Sequence, residues 1–199
     1  MNTRSTVPRR RLVTAIGVAA LAAVVAGSAI VISQQAQAQA SAPSLATIGV
    51  ADGMIREEDR VSVFDDTPAV TNLDPDLLAA VRAAATAADA EGVRIHVNSG
   101  WRSAAYQEAL RADAVRTYGS AEEAARWVAT PENSEHVSGD AVDLGPMDAQ
   151  DWLAGRGVEF GLCQIYENEP WHFELRPSAI ANGCPVMYSD PTADPRTQR

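Results

Sequence analysis

Two short segments hold the side chains suited to binding a metal and moving a proton. The first runs Ser134-Glu135-His136-Val137-Ser138-Gly139-Asp140-Ala141-Val142-Asp143, with an imidazole and a carboxylate seven positions apart. Gly139 permits a sharp turn after His136, which is expected in a loop, and a strand is expected to begin at about Asp140. On that strand Gly139, Ala141 and Asp143 share a face, because strand side chains alternate. Two small residues there leave room for an ion that both His136 and Asp143 can reach. The second segment is Glu169-Pro170-Trp171-His172-Phe173-Glu174-Leu175. Its alternation sends Trp171, Phe173 and Leu175 toward a core and His172 and Glu174 toward the opposite, active-site face.

One carboxylate and two imidazoles, from His136, Asp143 and His172, make a three-ligand site with an open position, the catalytic pattern for Zn2+. Such an ion lowers the pKa of a water to about 7 and polarises a peptide carbonyl. A carboxylate outside the ligand set must then take the proton and pass it to the leaving amine. Glu169, three residues before His172 and followed by the stiffening Pro170, is placed for this. Glu167, Glu174 and Glu135 are rivals for the role. Arg102 follows a strand end, where a guanidinium makes paired hydrogen bonds to a carboxylate or to oxyanion charge.

These residues resemble a known family. Ser134-x-His136-x-x-Gly139-x-Ala141-x-Asp143 followed by Glu169-Pro-Trp-His172 is similar to the zinc D-alanyl-D-alanine carboxypeptidases and dipeptidases of the vancomycin-resistance type. Ser99-Gly100-Trp101-Arg102-Ser103 with Gln107 resembles the family's upstream Ser-Gly-Tyr-Arg-Ser…Gln element, with Trp101 in place of tyrosine. The resemblance implies that His136, Asp143 and His172 bind zinc and that Glu169 is the base. It also implies that Arg102 steadies the oxyanion and substrate, while Gln107 and Ser134 help hold the end of the peptide. The implied substrate is a peptidoglycan stem or precursor ending in D-Ala-D-Ala. Related L,D-endopeptidases share the first motif but carry Asp-x-Pro-His in the second, so Glu169-Pro-Trp-His172 favours the carboxypeptidase branch. The alternatives are such a wall endopeptidase, or a non-catalytic wall-binding module of the same fold. Ordinary structural roles compete at each position: a loop histidine for His136, a turn carboxylate for Asp143, a surface ion pair for Arg102. Gln107 and Ser134 read equally as helix-surface and loop residues, and Glu174 as a solvated strand residue. His96 reads as a polar-face residue.

The elements expected to position these groups are of mixed type. Asp74 caps and Pro75 opens a helix whose apolar face carries Leu77, Leu78, Val81, Ala85 and Ala88 as far as Glu91-Gly92. Val93, Ile95 and Val97 alternate as a strand. Helices follow at about 103–118, 121–128 and 147–154, with short strands at 140–144, 162–166 and 171–175. This is an α+β fold with a small antiparallel sheet carrying the zinc site, flanked by helices. The expected organisation is a signal peptide or membrane anchor over 1–40, a linker and lead-in over 41–72, and a zinc peptidase domain over 73–186. Residues 187–199 are expected to form a weakly ordered tail.

The leader has arginines at 9–11, an apolar run from Leu12 to Ile32 and overlapping Ala-x-Ala sites up to Ala40. It predicts an exported protein, extracellular or wall-associated. Cys163 and Cys184, the two cysteines, then read as a disulfide. The chain has 16 basic residues, all arginine, against 26 acidic ones, a net charge of −10. Repulsion on that scale argues against nucleic acid as a partner. A monomer is the expected state.

Overall fold

The computed structural model describes residues 44–56 and 58–198; the expected leader over 1–40 lies outside them. Among the described residues no helix is long and apolar enough to cross a membrane.

The helix Pro75–Ala90 forms as its sequence predicts. Asp74 Oδ1 accepts from the backbone N–H groups of Asp76 and Leu77 at 2.9 and 3.1 Å, and Pro75 fills the first helical position. Its buried stripe, Leu77, Val81, Ala84, Ala85 and Ala88, lies on a four-stranded antiparallel sheet. The strands are β1 His96–Ser99, β2 Ala141–Gly145, β3 Leu162–Gln164 and β4 His172–Leu175, in the order β1-β2-β4-β3. Val142 and Leu144 of β2 and Phe173 of β4 pack against that helix and against Leu153 of the helix Met147–Arg156. β2 is central and buried along its whole length.

Register places the chemistry. Asp143 stands directly opposite His172, and Ala141 directly opposite Glu174, so all four share the sheet face away from Phe173. On the other side of β2, Asp143 is opposite Ser99. Ala141 is the small residue that leaves space for the longer Glu174 side chain.

The described segments on either side of the central domain carry more structure than expected. The lead-in belongs to the fold: Val61 bridges to Val97, and Val61, Val63 and Val70 enter the core. Trp101 N–H donates to Ala69 O at 2.9 Å, and Ser103 Oγ donates to Asp52 at 2.9 Å. The tail is not loose either. It holds 3-10 turns at Pro191–Ala193 and Pro195–Gln198, with Asp190 and Asp194 buried. Tyr188 bridges to Tyr166. Both segments are rich in Pro and Asp and lack periodicity, so pattern alone reads them as loops.

The Cys163–Cys184 disulfide is present and closes a loop with a sequence separation of 21 residues. By the chain-entropy argument it contributes about 3 kcal/mol. Urea unfolding with and without reductant checks this: the reduced protein is expected to unfold at a clearly lower midpoint.

Candidate metal centre

Each of the three expected ligands arrives on a different piece of backbone. Asp143 and His172 are cross-strand neighbours on β2 and β4. His136 lies not in a loop but in a single helical turn, Glu135–Ser138, ended by Gly139 in the left-handed conformation at φ 89°. A four-residue turn is too short for its periodicity to be read from sequence. Gly139 cannot carry a side chain there, since a Cβ would meet Asn72 O at 2.6 Å. Gly139→Ala is therefore expected to cost about 1–3 kcal/mol and to displace His136. Thermal unfolding and a zinc-binding titration check both effects.

The donor atoms converge. His136 Nε2 is 3.3 Å and His172 Nδ1 3.4 Å from Asp143 Oδ1. Among the described residues, the three side chains form a group whose ligand atoms all lie within 4.8 Å of one another. Zinc bonds of roughly 2.0–2.1 Å in tetrahedral geometry separate neighbouring donors by about 3.3 Å, close to both observed spacings. Asp143 Oδ1 and His172 Nδ1 are also buried without a hydrogen-bond partner. Orphaned polar atoms in such a place are costly unless a cation satisfies them. The donor set and its geometry fit a zinc ion.

The far side of each ligand is tied down. His136 Nδ1–H donates to Gly100 O at 2.9 Å, and His172 Nε2–H faces Glu174 Oε1 at 3.2 Å. Asp143 Oδ2 accepts from Arg102 Nη2 at 2.9 Å. Such outer partners fix the tautomer and aim of metal ligands.

Electrostatics follow from this packing. Burial works against the Asp143 carboxylate, but His136, His172 and Arg102 hold it well below the usual carboxylate range. Burial and the Arg102 charge push His136 down. Burial also opposes protonation of His172, yet the Asp143 and Glu174 carboxylates raise it to about 9. A metal ion held there would have to displace that proton. Glu174 is fully buried, which alone would raise it; hydrogen bonds from His172 and Arg196 instead bring it down to about 2.

The four candidate carboxylates separate clearly. Glu169 is buried in the cleft wall with Oε2 3.7 Å from His172 Nδ1, and burial lifts its pKa to about 7. Glu174 lies behind His172, held by Arg176 and Arg196. It is therefore a buried partner of His172 and not the solvated strand residue its sequence suggested. Glu135 pairs with Arg196 at 3.1 Å, and Glu167 is exposed on the surface.

Arg102 and Gln107 are more committed than the sequence implied. Arg102 Nε donates to Ser99 Oγ at 2.8 Å, Nη1 to Gln107 Oε1 at 3.1 Å and Nη2 to Asp143. Gln107 is 1% exposed, and its Nε2 donates to Ala129 O at 2.9 Å. Both ends of its amide thus hold other protein groups, and its observed contact is with Arg102. Ser134, just ahead of the His136 turn, lines the cleft. The cleft is about 180 Å³, walled by Trp127, Tyr166 and Trp171, and Arg102 is the one arginine among the described residues on its lining. His96 is not part of it.

Sequence reading missed Tyr166, Asp194 and Arg196. Tyr166 packs its ring 5.1 Å from that of His172 and donates to Asp194 at 3.0 Å. Only Glu174 carried a signal, two residues from His172 on the same strand face.

Comparison with known proteins gives the family and the fold. Residues 70–178 match the family described as VanY, D-alanyl-D-alanine carboxypeptidase. The chain belongs to that family. A D-alanyl-D-alanine carboxypeptidase of Enterococcus faecalis (strain ATCC 700802 / V583) is 33% identical over 112 residues. That match spans 44% of this chain and 42% of the relative's length. Among solved structures, VanYB in complex with D-alanine-D-alanine superposes with TM-score 0.54 at 24% identity, over 65% of this chain and 87% of that one. The vancomycin resistance D,D-pentapeptidase VanY in complex with Zn(II) gives 0.50 at 24%, over 64% and 88%. The LdcB LD-carboxypeptidase gives 0.50 at 22%, over 65% and 70%. At these identities the structures establish a shared fold, in accord with the expected α+β class.

Proposed function

We propose that this chain is an exported zinc metallopeptidase that removes the C-terminal D-alanine from peptidoglycan stem peptides or their precursors. The observation that carries the proposal is the convergence of His136 Nε2, Asp143 Oδ1 and His172 Nδ1, with the Glu169 carboxylate beside them. Family membership supports the substrate class. The disulfide supports export, because such bonds persist in oxidising compartments.

His136, Asp143 and His172 would hold the ion. Zinc in a three-ligand site supplies Lewis acidity and an activated water. The protein's own groups supply the rest. Glu169 has a proton affinity near neutrality, which suits it to take a proton from water and return it to the departing D-alanine amine. Arg102 orients Asp143 through Oδ2 and so leaves Oδ1 for the ion. Its Nη1 and Nη2 each have a second N–H, and from the cleft lining these would serve the substrate carboxylate or the developing oxyanion. Gln107 holds the guanidinium in that pose. The buried Glu169 and the aromatic walls limit the water that can compete for these groups.

Mass spectrometry of products from a muramyl pentapeptide ending in D-Ala-D-Ala tests the reading. Loss of a single alanine is expected. An internal cut would place the activity with the wall endopeptidases, and zinc binding without product would make the chain a wall-binding module.

A further inference from the structure

The family match stops at residue 178, yet the segment after it reaches the back of the metal centre. The Cys163–Cys184 disulfide pins the start of this segment to β3. Tyr188 N–H donates to Ile165 O at 2.9 Å, and Glu167 N–H donates to Tyr188 O at 2.8 Å, which ties the next stretch to the same loop. The chain then turns through Pro191–Ala193 and delivers Arg196 beneath His172.

Arg196 forks onto both oxygens of one buried carboxylate. Its Nη1 donates to Glu174 Oε2 at 2.8 Å and its Nη2 to Glu174 Oε1 at 3.2 Å. Asp194, itself fully buried, accepts from Arg196 Nε at 3.0 and 3.1 Å and sets the plane of the guanidinium. Glu174 Oε1 in turn meets Nε2 of His172. A continuous run of hydrogen bonds thus leads from the tail to a metal ligand.

We propose that Arg196 is a positioning residue for the metal centre, holding Glu174 so that the His172 ring keeps Nδ1 aimed at Asp143 Oδ1 and His136 Nε2. This rests on the metal reading above. Charge balance alone does not explain the arrangement, because Arg176 also pairs with Glu174. Arg176 reaches only Oε2, whereas Arg196 engages both oxygens. What Arg196 adds is orientation: a planar fork on a carboxylate fixes its rotation, which a point charge does not.

The test is zinc affinity of the full chain, measured by competition with a chromogenic chelator and needing no substrate. Arg196→Gln is expected to weaken zinc binding by about 10–100-fold, the usual effect of losing an outer partner. Arg196→Lys keeps the charge and loses the fork, so it is expected to fall between Gln and wild type. It also carries the test should the Gln variant fail to fold. Arg126→Gln breaks a different tail ion pair, Arg126 Nε to Asp190 at 3.2 Å, and is expected to bind zinc as wild type does. Cobalt(II) absorption provides a second readout: a displaced His172 changes the ligand-field bands, while a merely loosened tail does not. Wild-type affinity in either Arg196 variant overturns the inference. So does an equal loss in Arg126→Gln, which would mean that the tail matters only for stability. A wild-type chain that binds no zinc overturns this and the proposed function together; zinc binding without D-alanine release overturns only the latter.

Discussion

Glu169→Gln is expected to lower D-alanine release by about 10²–10⁴-fold, the range a general acid–base group contributes, while zinc still binds at one equivalent. Glutamine matches the volume and polarity of the buried side chain but cannot accept the water's proton. The other three candidate carboxylates are engaged elsewhere or exposed. Glu174 is held by His172, Arg176 and Arg196, Glu135 pairs with Arg196, and Glu167 faces solvent. None is free to substitute without rebuilding the site. The loss should appear in kcat more than in KM, because the proton is moved in the transition state. Steady-state kinetics with metal analysis on the same samples measures it. Retained turnover would move the base to another group.

Asp143→Asn is expected to damage both metal binding and folding. Asp143 Oδ1 lies 3.3 and 3.4 Å from the two imidazoles, and Oδ2 holds the Arg102 guanidinium. An amide cannot serve as an anionic ligand, and it leaves Arg102, 13% exposed at the side chain, without its countercharge. Breaking one side of a buried pair costs about 3–5 kcal/mol, with the lower end apt for a pair that retains some solvent contact. Zinc affinity should fall by more than the roughly 10–100-fold that follows loss of an outer partner. Denaturant unfolding of the metal-free protein isolates the first effect, and chelator competition the second. Unchanged zinc affinity would remove Asp143 from the ligand set.

The site was legible where residue type and local spacing suffice. Strand alternation put His172 opposite in sense to Phe173, and the structure has Phe173 in the core and His172 at the centre. The same rule put Ala141 and Asp143 on one face, and register then set Asp143 against His172. The Asp74 cap and Pro75 start were equally plain, because capping is a local matter. What escaped was everything set by distant chain. Glu174 is as polar as any exposed strand residue, and only the arrival of Arg196, 22 positions later, explains its burial. Tyr166 and Asp194 pair across 28 positions. Gln107 looked like a helix-surface residue because its amide partners, Arg102 and Ala129 O, come from the segments flanking its helix. The lead-in reads as linker for the same reason: Val61 and Val63 acquire meaning only when Val97 lies beside them.

The most direct test of the central claim is a zinc titration of the chelator-stripped full chain, with D-alanine release from a D-Ala-D-Ala-terminated pentapeptide followed at each addition. The His136–Asp143–His172 centre predicts no release before zinc, a linear rise, and a plateau at one zinc per chain. Release that persists in the stripped protein, or zinc binding at one equivalent with no D-alanine formed, would contradict it.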